Sequence, residues 1–290
     1  MKHPIIISVD VEDWQQSTWD RSFPVTKVSA VNTLKLLEIF DMYNVKATMF
    51  IQGKFSEKFP NVVKEIYKCG HEIACHGHGH VEIFKQSRDI FFKDVERAKD
   101  NIENIIGEKV LGYRAPDFSI TNKSLWALED LINLNFKYDS SIFPIKHNRY
   151  GIPSWPIYPK KIIINNQKFL KEFPITVIKS KSKNFPVGGG GYFRLIPLFI
   201  YKKIVDSVIK DRPFIFYMHP YELNSNELNE LEFKIPYSTK LHQGLGRKGF
   251  KKKLIYFLEN YKISNFKQEL NSYGSDSLLY DEIKATSLYQ

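Results

Sequence analysis

Ile5-Ile6-Ile7-Ser8-Val9-Asp10-Val11-Glu12-Asp13 is the stretch whose reading decides the fold. The run from Pro4 to Asp10 is almost wholly apolar and reads as a strand buried on both faces, the kind that parallel sheets use. It ends in three acids where strand should give way to loop. Acids at the carboxyl end of a parallel strand stand where α/β sheets and barrels carry their sites.

Working outward, apolar strands alternate with amphipathic helices. A helix is predicted over Ser29 to Tyr43, with Val31, Leu34, Leu36, Leu37, Ile39 and Phe40 as its apolar stripe. Ala47 to Ile51 follows as a strand, and Pro60 suits the first turn of a helix running to Lys68. Glu72 to Cys75 is the third strand. A long helix over Ser87 to Ile106, a strand at Val110 to Tyr113, a helix capped by Asn122 and a strand starting at Lys137 complete the first half. This order implies parallel strands with right-handed crossovers, hence an α/β barrel or doubly wound sheet. After residue 140 the pattern is broken by Gly151 to Pro159 and by Gly188 to Gly191, both expected to be irregular. Pro197 to Ile209 resumes as helix, Phe214 to Met218 as a strand ending at His219, and Gly249 to Asn260 as a closing helix. The expected division is a domain over 1–267 and a polar, loosely held tail over 268–290.

Metal-capable side chains concentrate in Cys69-Gly70-His71-Glu72-Ile73-Ala74-Cys75-His76-Gly77-His78-Gly79-His80. A four-residue spacing puts His76 and His80 on one side of a helical turn, with His78 pointing away. Solvated turn histidines are the ordinary alternative, and the acids after the first strand outweigh it. The two cysteines, Cys69 and Cys75, are too few for a disulfide scaffold or a Cys/His zinc finger and read as core thiols.

Strand ends therefore carry Asp10, Glu12 and Asp13; His76 and His80; Arg114; and His219. Two imidazoles and one carboxylate leave coordination positions open on a divalent metal. A second carboxylate takes a proton from water, and a distant imidazole protonates a leaving amine. Strand alternation puts Glu12 on the face of Asp10, whereas a chain already turning at Trp14 presents Asp13, so both stand as the metal carboxylate.

The pieces Ser8 to Trp14 (SVDVEDW), Ala47 to Gly53 (ATMFIQG), Gly70 to His80 (GHEIACHGHGH), Gly112 to Ile120 (GYRAPDFSI), Tyr138 to Pro144 (YDSSIFP), Gly189 to Leu195 (GGYFRL preceded by a further Gly) and Phe216 to Leu223 (FYMHPYEL) resemble, in order and spacing, a polysaccharide deacetylase of the NodB-homology, carbohydrate esterase 4-like kind. The likeness is to the branch associated with exopolysaccharide biosynthesis and covers roughly residues 4 to 263. It implies a distorted (β/α)7-type barrel and a divalent metal, most often Zn2+. By the same resemblance Asp10 is the catalytic base, His76 and His80 the metal imidazoles, Arg114 the residue that orients the base and His219 the general acid. The commoner motif has adjacent aspartates, where this chain has Asp10-Val11-Glu12-Asp13. Asp139, Ser140, Trp155 and Tyr192 are expected to touch substrate.

The expected activity is removal of an N-acetyl group from an amino sugar in a polysaccharide, or in a lipid- or nucleotide-linked precursor. Action on a small cyclic or acyl amide, and a non-catalytic glycan-binding module, are the alternatives. No apolar run is long enough for a secretion signal or a membrane span, so a cytoplasmic protein is expected, placed at the inner membrane face by its charge. The first 150 residues hold 20 basic and 20 acidic residues and the remaining 140 hold 22 and 12, so the whole net charge of +10 lies in the second half. Lys179, Lys181, Lys183, Arg247, Lys248, Lys251, Lys252 and Lys253 are its densest parts and suit contact with an anionic membrane. Nucleic acid is not an expected partner, since no aromatic-basic interleaving accompanies the charge.

Overall fold

The structure is a computed structural model that describes residues 2–164, 168–180, 183–231, 233–274 and 276–280. Its first strand, β1 (Ile5–Val11), alternates strictly. Ile5, Ile7, Val9 and Val11 join the apolar layer beneath the helices, while Ile6, Ser8 and Asp10 face inward. The first half continues as α1 (Lys27–Met42), β2 (Thr48–Ile51), α2 (Gly53–Lys58), α3 (Pro60–Lys68), β3 (Glu72–Cys75), α4 (Arg88–Ile106), β4 (Gly112–Tyr113), α5 (Ala127–Asn133) and β5 (Tyr138–Asp139). Then come β6 (Lys160–Ile164), β7 (Lys168–Glu172), β8 (Val177–Ser180), β9 (Lys183–Pro186), α6 (Gly190–Leu195), α7 (Leu198–Val208), β10 (Phe214–Met218), α8 (Tyr237–Gly244), α9 (Arg247–Asn260), β11 (Ile263–Ser264), α10 (Phe266–Glu269) and β12 (Ser277–Leu279).

Seven strands run parallel in the order β10-β1-β2-β3-β4-β5-β7. The chain just beyond β7 returns to β10, where Thr176 N donates to Ile215 O (3.4 Å) and Tyr217 N donates to Gly188 O (2.8 Å). This seam closes a distorted barrel of the expected (β/α)7 kind. The lumen below the site is filled by Ile6, Phe50, Tyr138, Phe173 and Phe266. Phe266 comes from α10 and packs on Phe50, Tyr138 and Phe173. Backbone N–H groups of Phe266 and Lys267 donate to Thr48 Oγ1 (3.0 Å) and Glu72 Oε2 (2.8 Å). That plug seals the amino ends of the strands, leaving the carboxyl ends as the open rim.

Several expectations change. Val31 and Leu34 are 46% and 38% exposed, so α1 buries a narrower stripe, centred on Leu36, Leu37 and Phe40. Residues 121–126 form turns, and the helix expected from Asn122 begins at Ala127. The hairpin β6–β7, whose strands lack a clean period of two, escaped the sequence reading. Gly190 opens α6 instead of lying in irregular chain. The segment from Gln268, expected as a loose tail, places β12 beside β6 and buries Tyr280; residues 281–290 of that tail lie outside the described residues. Among the described residues no helix is long and apolar enough to cross a membrane.

Candidate active site

At the rim, β1 delivers Asp10 inward, and the next inward position is Glu12. β3 ends at Cys75, which is buried among the apolar side chains of the helical layer, so His76 faces the other way. His76 N still extends the ladder to Ile51 O (2.9 Å). The chain then leaves regular structure. Gly77 at φ 66° and His80 at φ 57° lie in the left-handed region, and the loop between them is tied by Asp94, which accepts from His78 N (2.7 Å) and Gly79 N (3.0 Å). His76 and His80 therefore meet through a looped backbone and not through the helical turn expected from their spacing. His78 points away, with Nε2 3.0 Å from Glu57 Oε1.

Glu12, His76 and His80 bring their ligand atoms within 4.8 Å of one another, all buried. Glu12 Oε2 lies 2.5 Å from His80 Nε2 and 3.3 Å from His76 Nε2. It receives no well-directed hydrogen bond, although it is sealed from water. His76 Nδ1 is 2.8 Å from Arg114 O, a carbonyl that only accepts, so Nδ1 carries the proton and Nε2 turns a lone pair toward Glu12. Two such lone pairs facing one another repel unless a cation lies between them. The buried orphan oxygen and the two-imidazole, one-carboxylate donor set both fit a divalent metal.

Asp13, the alternative carboxylate, is fully engaged elsewhere. Its Oδ1 accepts from Gln15 N (2.9 Å) and Gln16 N (3.1 Å), capping the wide helical turn Trp14–Trp19. Its Oδ2 accepts from Thr26 N (2.8 Å) and from the Thr26 hydroxyl.

Arg114, fully buried, is the hub beneath the rim. Nη1 donates to Asp10 Oδ1 (2.7 Å) and Ser8 Oγ (2.9 Å), Nε to Ser140 O (3.0 Å) and Nη2 to Ser140 Oγ (3.0 Å). Its guanidinium stacks 4.1 Å from the Phe50 ring centre. Asp139 and Ser140 are wholly enclosed in this support and offer no surface to a ligand, contrary to the sequence reading. Asp139 accepts from Ser141 Oγ (2.5 Å) and Ser141 N (3.1 Å). Burial, and then the charge of Asp139, raise Glu172 well above the usual carboxyl range, so the pair shares a proton.

His219 approaches from β10. Its Nε2 is 3.6 Å from Glu12 Oε1, its Nδ1 3.7 Å from Glu222 Oε2, and its ring stacks on Tyr221 at 4.6 Å. Burial by itself lowers this imidazole; Glu222, Glu12 and Asp10 outweigh it and carry the pKa to about 9. Burial opposes the charge of Glu12 in the same way, yet the charge of His80, the close approach of both imidazoles and the charge of His219 hold it well below the ordinary range. Burial also lowers His80, and Glu12 more than reverses this, so a cation binding here displaces a proton.

Sequence reasoning missed Glu222 and the tyrosine wall. Glu222 Oε2 accepts from His219 N (3.1 Å), the reciprocal arrangement of a capping box, and the spacing of His219 to Glu222 was the available signal. Gly189 and Gly190 are required by contact: a Cβ would lie 2.7 Å from the Tyr217 ring and 1.9 Å from the Glu222 carboxylate. Tyr192, half-buried, hydrogen-bonds Tyr150 beside Tyr217. Trp155 is buried and lines a different groove. Of the basic cluster, Arg247 is buried against Glu227 Oε2 (2.9 Å), and Lys253 Nζ binds the carbonyls of Phe193, Arg194 and Ile196, so only Lys248, Lys251 and Lys252 remain an exposed face. Lys181 lies outside the described residues.

Residues 17–133 match the polysaccharide deacetylase family model. Over that segment the chain is similar to polysaccharide deacetylases. Residues 140–271 match a domain of unknown function (DUF3473), so the rim draws His76, His80 and Arg114 from the first match and His219 from the second, with Asp10 and Glu12 ahead of both. A peptidoglycan deacetylase of Helicobacter pylori is 34% identical over 120 residues, 40% of this chain and 38% of that protein. A peptidoglycan-N-acetylglucosamine deacetylase of Bacillus cereus is 34% identical over 98 residues, 33% of this chain and 36% of that one. The match thus spans little more than a third of either relative. A solved candidate polysaccharide deacetylase from Mycobacterium smegmatis superposes with TM-score 0.65 at 17% identity, covering 95% of this chain and 92% of that one. That likeness shows the barrel fold.

Proposed function

We propose that the chain is a divalent-metal-dependent hydrolase that removes the N-acetyl group from an amino sugar in a glycan or glycan precursor. The observation that carries this reading is that Glu12, the two imidazoles, Asp10 and His219 share one rim. The relatives named peptidoglycan deacetylases support the same substrate class. Glu12, His76 and His80 would hold the ion, with Zn2+ the best fit to that donor set. Such an ion supplies Lewis acidity toward an acyl oxygen and makes water more acidic.

The chain's own residues do the rest. Arg114 fixes Asp10 Oδ1 at the rim, leaving Oδ2 to accept a proton from water as it attacks. His219 is held between Glu12 and Glu222 and, with its pKa near 9, carries a proton at neutral pH for the departing amine. Stacking on Tyr221 keeps the imidazole plane fixed while it does so.

The test is acetate release from an N-acetylglucosamine hexamer and from peptidoglycan fragments, with metal-stripped and zinc-reloaded protein. Zinc-dependent acetate release is expected, and Asp10→Asn should lower turnover by roughly 10² to 10⁴. No acetate from any N-acetylated sugar, combined with turnover of a small cyclic amide, would move the site to a different class of amide.

A further inference from the structure

A groove of about 1040 Å³ opens between the loop after β5 and the hairpin β8–β9, inside the segment that matches a domain of unknown function. Lys146, Lys179 and Lys183 line it, no acidic side chain among the described residues does, and its remaining walls are mainly proline, isoleucine and aromatic. None of the three lysines is in an ion pair with a described residue. Two aromatic rings belong to it. Tyr158 is 42% exposed and held in place, its hydroxyl donating to Asp211 Oδ2 (2.8 Å) and Arg212 lying 5.3 Å from its ring centre. Trp155 is only 4% exposed, and its buried indole N–H has no acceptor among the described residues.

The groove is built, not incidental. Asn184 Nδ2 donates to Pro144 O (2.7 Å), pinning the tip of β9 against the opposite wall. It also adjoins the site. Phe143, the residue before the groove wall begins, stacks on Tyr150 (6.1 Å, 13°) and meets Tyr217, whose ring is 5.9 Å from His219. Phe143, Tyr150 and Tyr217 thus link the start of the groove wall at Pro144 to the ring beside His219.

We propose that this groove binds an acidic sugar chain, one bearing carboxylate or phosphate groups, with the three lysines meeting its anions and Tyr158 its apolar sugar face. A membrane surface would need these lysines on a flat or convex face. Here they converge on a cleft with aromatic walls, which suits a polymer strand. The proposal rests on and extends the glycan reading of the rim: the chain being deacetylated, or a neighbouring strand of it, is gripped by the groove as well as at the rim.

The experiment reads binding directly, independent of acetate release. Wild type and the triple variant Lys146→Gln/Lys179→Gln/Lys183→Gln would be titrated with a galacturonic acid hexamer, an N-acetylglucosamine hexamer, inorganic phosphate and phosphatidylglycerol vesicles. Tryptophan fluorescence and calorimetry are the readouts. The galacturonate hexamer should bind wild type in a salt-sensitive manner and at least about tenfold more weakly to the variant, given up to about 1 kcal/mol for each exposed ion pair. Acetate release from a small N-acetyl sugar should be the same in both. A single Trp155→Phe variant should abolish the fluorescence change. Equal binding by wild type and variant, no binding of the acidic hexamer, phosphate alone binding as tightly as the hexamer, or vesicles as the sole lysine-dependent ligand would each overturn the proposal. Failure of acetate release alone would count against the proposed function and leave this result standing.

Discussion

Arg114→Met is the change whose cost the structure fixes most tightly. Arg114 and Asp10 have side chains 0% and 3% exposed and meet at 2.7 Å, so removing the guanidinium strands a carboxylate in the barrel lumen. Breaking a buried pair from one side costs about 3–5 kcal/mol, and losing the stack on Phe50 adds to it. With roughly 2–4 °C of melting temperature per kcal/mol for a domain near this size, the variant should melt about 6–20 °C below wild type. Adding Asp10→Asn removes the stranded charge, so the double variant should recover about 2 kcal/mol or more of that loss. Melting followed by circular dichroism at pH 7, on metal-free protein to separate stability from ligand binding, is the assay. A loss below about 1 kcal/mol for Arg114→Met, or no recovery in the double variant, would refute the hub role given to this pair.

Other expected outcomes follow from the same geometry. Asp13→Ala should lower stability by about 1–2 kcal/mol through loss of its cap, seen as a lower denaturation midpoint, without changing metal content. Gly190→Ala drives a Cβ into the Glu222 carboxylate, 1.9 Å away, and should reduce both melting temperature and turnover, whereas Gly191→Ala, where a Cβ meets nothing within 4 Å, should change neither. In metal-free protein, the His219 pKa near 9 stands above its ordinary 6.5, so its charged form stabilises the fold fully below about 6.5 and ceases to as pH rises through about 9. The melting-temperature gap between wild type and His219→Gln should therefore be widest near pH 6 and close by about pH 10; a gap that widens with pH would contradict this.

Much of the rim was legible because period-two alternation fixes where β1 side chains point. Asp10 and Glu12 had to share a face once Ile5 to Val9 was read as strand. The choice between Glu12 and Asp13 was not legible, since it turns on Asp13 meeting Thr26, thirteen residues on, which local spacing does not encode. His76 and His80 were identified for a reason the fold does not use: Gly77 and Asp94 shape a loop that brings the imidazoles together without a helical turn. Asp139 and Ser140 were misread because a strand end looks the same in sequence whether it opens to the rim or closes over an arginine. The hairpins of the second half, and the burial of Arg247 and Lys253 in a run of basic residues, depend on distant partners such as Glu227 and the carbonyls at the end of α6.

The most direct test of the central claim is metal stoichiometry by mass spectrometry on wild type, Glu12→Gln and Asp13→Asn, each stripped and reloaded with zinc. One tightly held ion per chain is expected in wild type and in Asp13→Asn, with loss of that ion in Glu12→Gln. Full metal content in Glu12→Gln, or its loss in Asp13→Asn while the fold stays intact, would contradict the assignment of Glu12, His76 and His80 as the metal centre.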